Sequence, residues 1–380
     1  MKSTNSIRQD GKDRNLNLIF NTIAKCQNIS RIDIANRIGM SASAVSGFTD
    51  ALLFKRLILE GGSIESGEVG RRAIMLRVNP FGGLFICVLF KAGKIQLDLF
   101  NLERKFVFSK AIKVRGASVS GLTIINAIED EIQYNYKYGK LFGIMLIKPS
   151  WYQTEGNDEL LKQEFGYTIE SDCIAKVTSF YRNSLVMEEQ STLLDAYCLV
   201  HDEFGGKNVL CLSIDNNIYS SVILNGQIYD HSFSNQEFGY IGVNYDDTEL
   251  SEPDKKGILS SFVSINSICA RISKIKGRKI EFSEVLNLYL AKDAQTCEVL
   301  YNVADVLAYA ISSYIDILGI ETVIIRGGFS NFGKDYCDYI FDRLRKYCRG
   351  GDLTLLKFAD KGNSVMQGGA YLLFDKVFSV

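Results

Sequence analysis

The sequence is poor in the residues that build metal centres. It holds only two histidines, His201 and His231, and no two of its nine cysteines are spaced as C-x-x-C. The common zinc sets draw on paired Cys and His, so neither metal nor cofactor is expected. Scattered cysteines without an export signal read as reduced, mostly buried thiols, not as a disulfide framework. No apolar run is long enough to cross a bilayer. Met1-Lys2-Ser3-Thr4-Asn5 leads into a charged stretch, not into an apolar signal core. A cytoplasmic chain with no membrane partner is the expectation. Low-complexity segments and short repeats are also missing.

What is present is a soluble globular composition, 47% hydrophobic and 23% charged over 380 residues. That length predicts two or three domains. The formal net charge of -1 hides an asymmetry. Residues 1–80 hold 12 Lys and Arg against 7 Asp and Glu, a net +5, which leaves −6 for the rest. A basic head on an acidic body points to a polyanionic partner for the head.

Leu16, Ile19, Phe20, Ile23 and Ala24 recur at helical spacing and define one apolar face. Ser30-Arg31-Ile32-Asp33 resembles a capping box with Asp in place of Glu. The short helix it opens turns Ile34, Ala35 and Ile38 inward and ends at Gly39. Ser41 caps a third helix, with Val45, Phe48, Leu52 and Leu53 as its buried stripe. Helix, tight Gly turn and helix make a helix-turn-helix. Its outward positions are Ser43, Ala44, Ser46, Gly47 and Asp50. Small side chains let a helix seat closely in the major groove, and hydroxyls reach phosphates or base edges. The same residues also fit an ordinary three-helix bundle with a solvated face. Beyond Leu57-Ile58-Leu59 and a Gly-rich tip, Ile74, Leu76 and Val78 alternate as in a half-buried strand. Two strands around such a tip form a wing, with Gly70, Arg71 and Arg72 at its end and suited to a narrow minor groove.

These stretches resemble the ROK family of repressors, open reading frames and sugar kinases. The resemblance rests on Ser30–Ala35, Gly39–Ser46 and Ser66-Gly67-Glu68-Val69-Gly70-Arg71-Arg72. It continues through the Asn225-Gly226 hairpin, Gln236–Tyr240, Ile325-Arg326-Gly327-Gly328 and Gly368-Gly369-Ala370. It implies that the Gly-Arg-Arg end contacts the minor groove. It also implies an α/β fold: an N-terminal winged helix-turn-helix, then a two-lobed sugar-kinase-like body of the actin-like ATPase type. The expected domains are 1–80 for DNA binding, 81–190 with a C-terminal helix near 362–380, and 191–361 for effector binding and dimerisation. Asn79–Gly83 reads as the interdomain joint. In the body, strands are expected near 84–90, 94–102, 105–114, 141–147, 209–214 and 219–224, with helices over 118–137 and 258–319.

The chemistry of the family's kinases is not matched. Leu89-Phe90-Lys91-Ala92 stands where they carry Asp-x-Gly-Gly-Thr, and Ile214–Ser221 replaces the second Gly-rich loop. Side chains there block close approach of backbone N–H groups to phosphate. Glu189 aligns with the catalytic Asp, Glu188 with a sugar-binding Asn, and Glu237 with a sugar-binding Glu. Tyr240 replaces a His, and Ser251–Gly257 replaces the zinc loop. The expectation is no enzyme but a DNA-binding regulator, most simply a repressor, which binds a double-stranded operator as a homodimer or homotetramer. Glu188, Glu189 and Glu237 are the candidates for a sugar-like effector. A sugar kinase, or a dimer that binds DNA without any ligand, are the alternatives.

Overall fold

In the computed structural model, which describes residues 4–64, 73–114, 116–149, 158–202, 207–229, 238–243, 257–348, 355–358 and 364–379, the chain divides into two units. One comprises residues 1–189 with 369–380, the other 190–368. The first opens with α1 (Thr4–Cys26), β1 (Ile29–Ser30), α2 (Arg31–Ile38), α3 (Ala42–Phe54), β2 (Ile58–Ile64) and β3 (Ala73–Val78). The expected face of α1 is buried at Ile19, Phe20, Ile23 and Ala24.

Two details depart from the expected pattern. In α3 the buried residues are Val45, Thr49 and Leu52, while Phe48 and Leu53 are half-buried. Thr49 can be internal because its hydroxyl donates to Ser46 O at 3.0 Å and accepts from Arg31 Nε at 3.0 Å. In β3, Leu76 and Val78 are buried, but Ile74 is 46% exposed. A bulge between Gly61 and Ser63 of β2 falls opposite Met75 and Ile74 and interrupts the regular pairing there. β1 adds a third strand, pairing Ile29 with Leu76 and Ser30 with Met75. A two-residue strand carries no periodicity of its own, so the sequence does not reveal it.

The segment expected as a joint is closely packed. Asn79 N donates to Leu57 O at 2.9 Å, Asn79 Nδ2 donates to Arg56 O at 2.7 Å, and Phe81 N donates to Asn79 Oδ1 at 3.0 Å. A Cβ on Gly82 would lie 2.7 Å from Arg56 O and 2.8 Å from Leu102 Cδ2. Only glycine fits this crossing.

Beyond the joint come β4 (Gly83–Lys91), β5 (Lys94–Asn101), β6 (Phe106–Lys113), β7 (Ser118–Val119), α4 (Gly121–Tyr134), β8 (Lys140–Lys148), α5 (Asp158–Phe165), β9 (Thr168–Ile169), α6 (Cys173–Phe180) and β10 (Leu185–Gln190). The main sheet runs β10-β8-β4-β5-β6, with β4 parallel to β8 and antiparallel to β5. Its core joins Ile86, Val88, Leu97, Ile128, Ile144 and Val177. The helix expected over 118–137 begins only at Gly121, because Ser120 caps it and residues 118–119 pair with β9.

The second unit holds α7 (Ser191–Asp202), β11 (Val209–Ile214), β12 (Ile218–Leu224), β13 (Gln227–Ile228), α8 (Ser260–Val263), α9 (Ile265–Lys276), α10 (Phe282–Leu290), α11 (Ala294–Leu318), β14 (Thr322–Arg326), α12 (Lys334–Tyr347) and β15 (Leu355–Phe358). Its sheet order is β13-β12-β11-β14-β15, with β11, β14 and β15 parallel. Asn225 and Gly226 turn from β12 to β13 with φ of 54° and 74°, the left-handed pair a tight hairpin demands. Val303, Leu307 and Ile311 of α11 share one buried core with Leu212, Val323 and Ile325 of the sheet.

The last helix, α13 (Ser364–Val377), contains the boundary at 368/369. From Gly369 on it belongs to the first unit. There Phe374 and Phe378 meet Phe20 of α1 at centroid distances of 5.7 and 4.5 Å. Phe378 also meets Phe142 of β8 at 5.4 Å, and Phe374 meets Phe85 of β4 at 6.2 Å. Asn17 Nδ2 and Asn21 Nδ2 donate to Ser379 O and Phe378 O, each at 2.8 Å. Rings and hydrogen bonds thus fasten α1 to the sheet. Among the described residues no helix is long and apolar enough to cross a membrane.

Candidate nucleic-acid interface and effector site

The turn between α2 and α3 is built by local chemistry. Ser30 Oγ accepts from Asp33 N at 3.2 Å and donates to Asp33 Oδ2 at 2.6 Å. Gly39 ends α2 at φ 69°, ψ 29°, with its N–H returning to Ala35 O. Two residues later Ser41 Oγ accepts from Ala44 N at 3.3 Å and opens α3. The first turns of α3 then present Ser43 and Gly47 exposed, with Ala44 and Ser46 half-buried beside them. Ser41 and Ser43 hydroxyls lie 3.2 Å apart. A Cβ on Gly47 would meet nothing within 4 Å, so this face is open. Ser41, Ser43, Ala44, Ser46 and Gly47 therefore lie together at one end of one helix. Gly70, Arg71, Arg72 and Glu237 lie outside the described residues.

The sequence reading missed the residue that locks this geometry. Arg31, the first residue of α2, donates through Nε to Thr49 and pairs through Nη2 with Asp50 at 3.2 Å and Glu60 at 3.0 Å. It ties α2, α3 and β2 together. The only signal in the chain is a cap-adjacent Arg with carboxylates far along the sequence.

Glu188 and Glu189 belong to β10 and are half-buried; the helix α7 starts after them, at Ser191. Glu188 forms an ion pair with Lys148, the buried last residue of β8. A buried ammonium is costly without a counter-charge, so this carboxylate has a structural task beside any ligand contact. Lys148 was not foreseen, because it lies just past the apolar run 141–147 of its strand.

In the second unit, Asp215 follows β11 and its Oδ1 accepts from Gly328 N at 2.6 Å. Gly327 sits at φ 82°, and a Cβ there would lie 2.6 Å from both Asp215 Oδ2 and Ile214 O. The carboxylate thus occupies the Gly328 backbone donor, and its negative charge opposes any anion approaching there. Nearby, Arg326 Nη1 pairs with Asp195 Oδ1 at 2.7 Å and donates to Ser364 Oγ at 2.9 Å. Ser364 Oγ donates to Asp195 at 2.6 Å. Burial pushes the Asp195 carboxyl up, against the downward pull of the Arg326 guanidinium. Among the described residues no cluster of three or more His, Cys, Asp or Glu could hold a metal ion.

Residues 196–376 match the ROK family, and the chain carries a ROK family domain. It is 21% identical to the xylose repressor of Staphylococcus xylosus over 99% of this chain and 97% of that protein. A solved ROK family transcriptional regulator, described as a homologue of the E. coli MLC protein, superposes with a TM-score of 0.78 at 18% identity, covering 97% of this chain and 96% of that one. The ROK hexokinase of Thermus thermophilus superposes with a TM-score of 0.63 at 14% identity; it covers 76% of this chain while 97% of its own length is matched. The fold is therefore the mixed α/β fold of ROK proteins.

Proposed function

We propose that this chain is a DNA-binding transcriptional repressor whose ROK body is a noncatalytic effector and oligomerisation module. The observation that carries the reading is the α2–Gly39–α3 turn, which leaves the small face Ser43–Gly47 open at the start of α3. Residues 1–80 then act as a winged helix-turn-helix. Ser41, Ser43, Ala44, Ser46 and Gly47 enter the major groove, and Gly70, Arg71 and Arg72 reach the minor groove. Residues 81–190 with the C-terminal helix form one lobe, and 191–361 the lobe for effector and dimer contacts. A homodimer or homotetramer presents paired heads to half-sites roughly 34–36 Å apart or a multiple of that. Glu188, Glu189 and Glu237 are the proposed contacts to a sugar-like effector, because they align with the family's sugar-binding and catalytic positions. Asp215 on the Gly328 amide supports the absence of sugar phosphorylation.

The test is Gly47→Leu on an operator found by genomic footprinting. Leucine replaces an exposed helical glycine, so stability should rise by about 0.5–1 kcal/mol. Operator affinity should fall at least about tenfold if α3 seats closely in the groove. Unchanged affinity in a stabilised protein would remove α3 from the interface. ATP-dependent turnover of any sugar in a coupled assay would overturn the noncatalytic part.

A further inference from the structure

A cavity of about 520 Å³ opens at the joint between the head and the first sheet. That is far larger than the packing voids of a protein interior and lies within the range of small-molecule sites. Its apolar wall includes Phe20 of α1, Leu52 of α3, Phe142 of β8 and Phe378. Three charged side chains also line it: Lys55, Lys140 and Asp13. Lys55 is the residue that caps the C-terminus of α3, and Lys140 is the first residue of β8. Both are exposed, and the cavity carries a net single positive charge from the three.

We propose that this cavity is a binding site for a small apolar carboxylate. Aromatic and aliphatic walls take the apolar body, and the two lysines take the anion. Because one lysine ends α3 and the other begins β8, a carboxylate shared between them fixes the helix relative to the sheet. An occupant would therefore hold α3 in one pose, independently of Glu188 and Glu189 in β10. The regulatory meaning of that pose rests on the DNA-binding reading of α3; the capture of the ligand does not.

The probe is 3-phenylpropionate, titrated into the full chain by calorimetry, with its uncharged amide as control. Saturable binding is expected for the acid, at least about tenfold weaker for the amide and for the Lys55→Gln/Lys140→Gln double variant. Leu16→Trp, which fills the cavity from its half-buried wall, should abolish binding. Saturation should also slow amide hydrogen exchange in α3 and at Asn79, Phe81 and Gly82. No saturable binding, equal binding of acid and amide, or indifference to Leu16→Trp would overturn the proposal. So would unchanged exchange in α3 at saturation. These readouts need no DNA, so a protein that binds the acid but no operator would refute the proposed function and leave this site standing.

Discussion

Removing the contact between Phe20 and Phe378 should loosen the head from the sheet by a measurable, non-additive amount. Phe20 is fully buried, and Phe378 is 5% exposed. Truncating a buried Phe to Ala costs about 3–5 kcal/mol, from lost transfer energy and the cavity left behind. Most of that cost is shared with neighbours such as Phe374, whose ring lies 5.0 Å from Phe378. The part specific to the pair is the direct ring contact at 4.5 Å, with planes tilted by 50°. Aromatic pairs of this kind contribute ~0.5–1.5 kcal/mol beyond area burial. A double-mutant cycle of Phe20→Leu and Phe378→Leu should return that coupling. A chain of this length need not unfold in one step. The readout is therefore native-state hydrogen exchange of the α1 amides, which reports local opening. If the two substitutions add to within ~0.3–0.5 kcal/mol, the last helix does not hold α1 and the account of the joint fails.

Gly82→Ala should destabilise the protein by ~1–3 kcal/mol through overpacking against Arg56 O and Leu102; a neutral thermal melt would contradict the close crossing. Arg31→Met should cost ~1–2 kcal/mol in head stability, from the lost Thr49, Asp50 and Glu60 contacts. Because Arg31 acts on α3 and not on phosphate, operator affinity should fall while the salt dependence of binding keeps its slope. A slope smaller by about one would make Arg31 a phosphate contact instead. Asp293 caps α11 and pairs with Lys276, and these bonds, Lys276 first, draw its carboxyl down from 3.8 to about 2. Its stabilisation is present above pH 3.8 and lost as the pH falls through 2. Asp293→Asn should therefore flatten the acid unfolding profile in that window, and an unaltered profile would remove the ion pair from the account.

What the sequence made legible was local. Ser30, Gly39 and Ser41 announce the α2–α3 turn because each cap is satisfied within four residues. Asn225-Gly226 announces its hairpin because both residues accept positive φ. The apolar face of α1 is legible through its period alone. What escaped depends on partners far along the chain. Thr49 is buried because Arg31 satisfies it, and no periodicity scale ranks threonine as core. Ile74 is exposed although it shares a face with Leu76 and Val78, at the point where a bulge interrupts the pairing with β2. Gly328 is tied to Asp215 across 113 residues, and Lys148 to Glu188 across the three elements α5, β9 and α6. The resemblance to ROK proteins located Glu188 but not the buried lysine that engages it.

The fastening of α1 by the last helix has a consequence for biosynthesis. Asn21 and Phe378 are 357 residues apart, so on the ribosome the head emerges long before its clamp exists. At ordinary elongation rates that interval is roughly 20–70 s. Throughout it, Phe20 and the α1 face around it lack the rings that cover them in the finished protein. A nascent or prematurely terminated chain would thus carry a head with an uncovered apolar flank, and the joint could form only once Phe374 and Phe378 had been added.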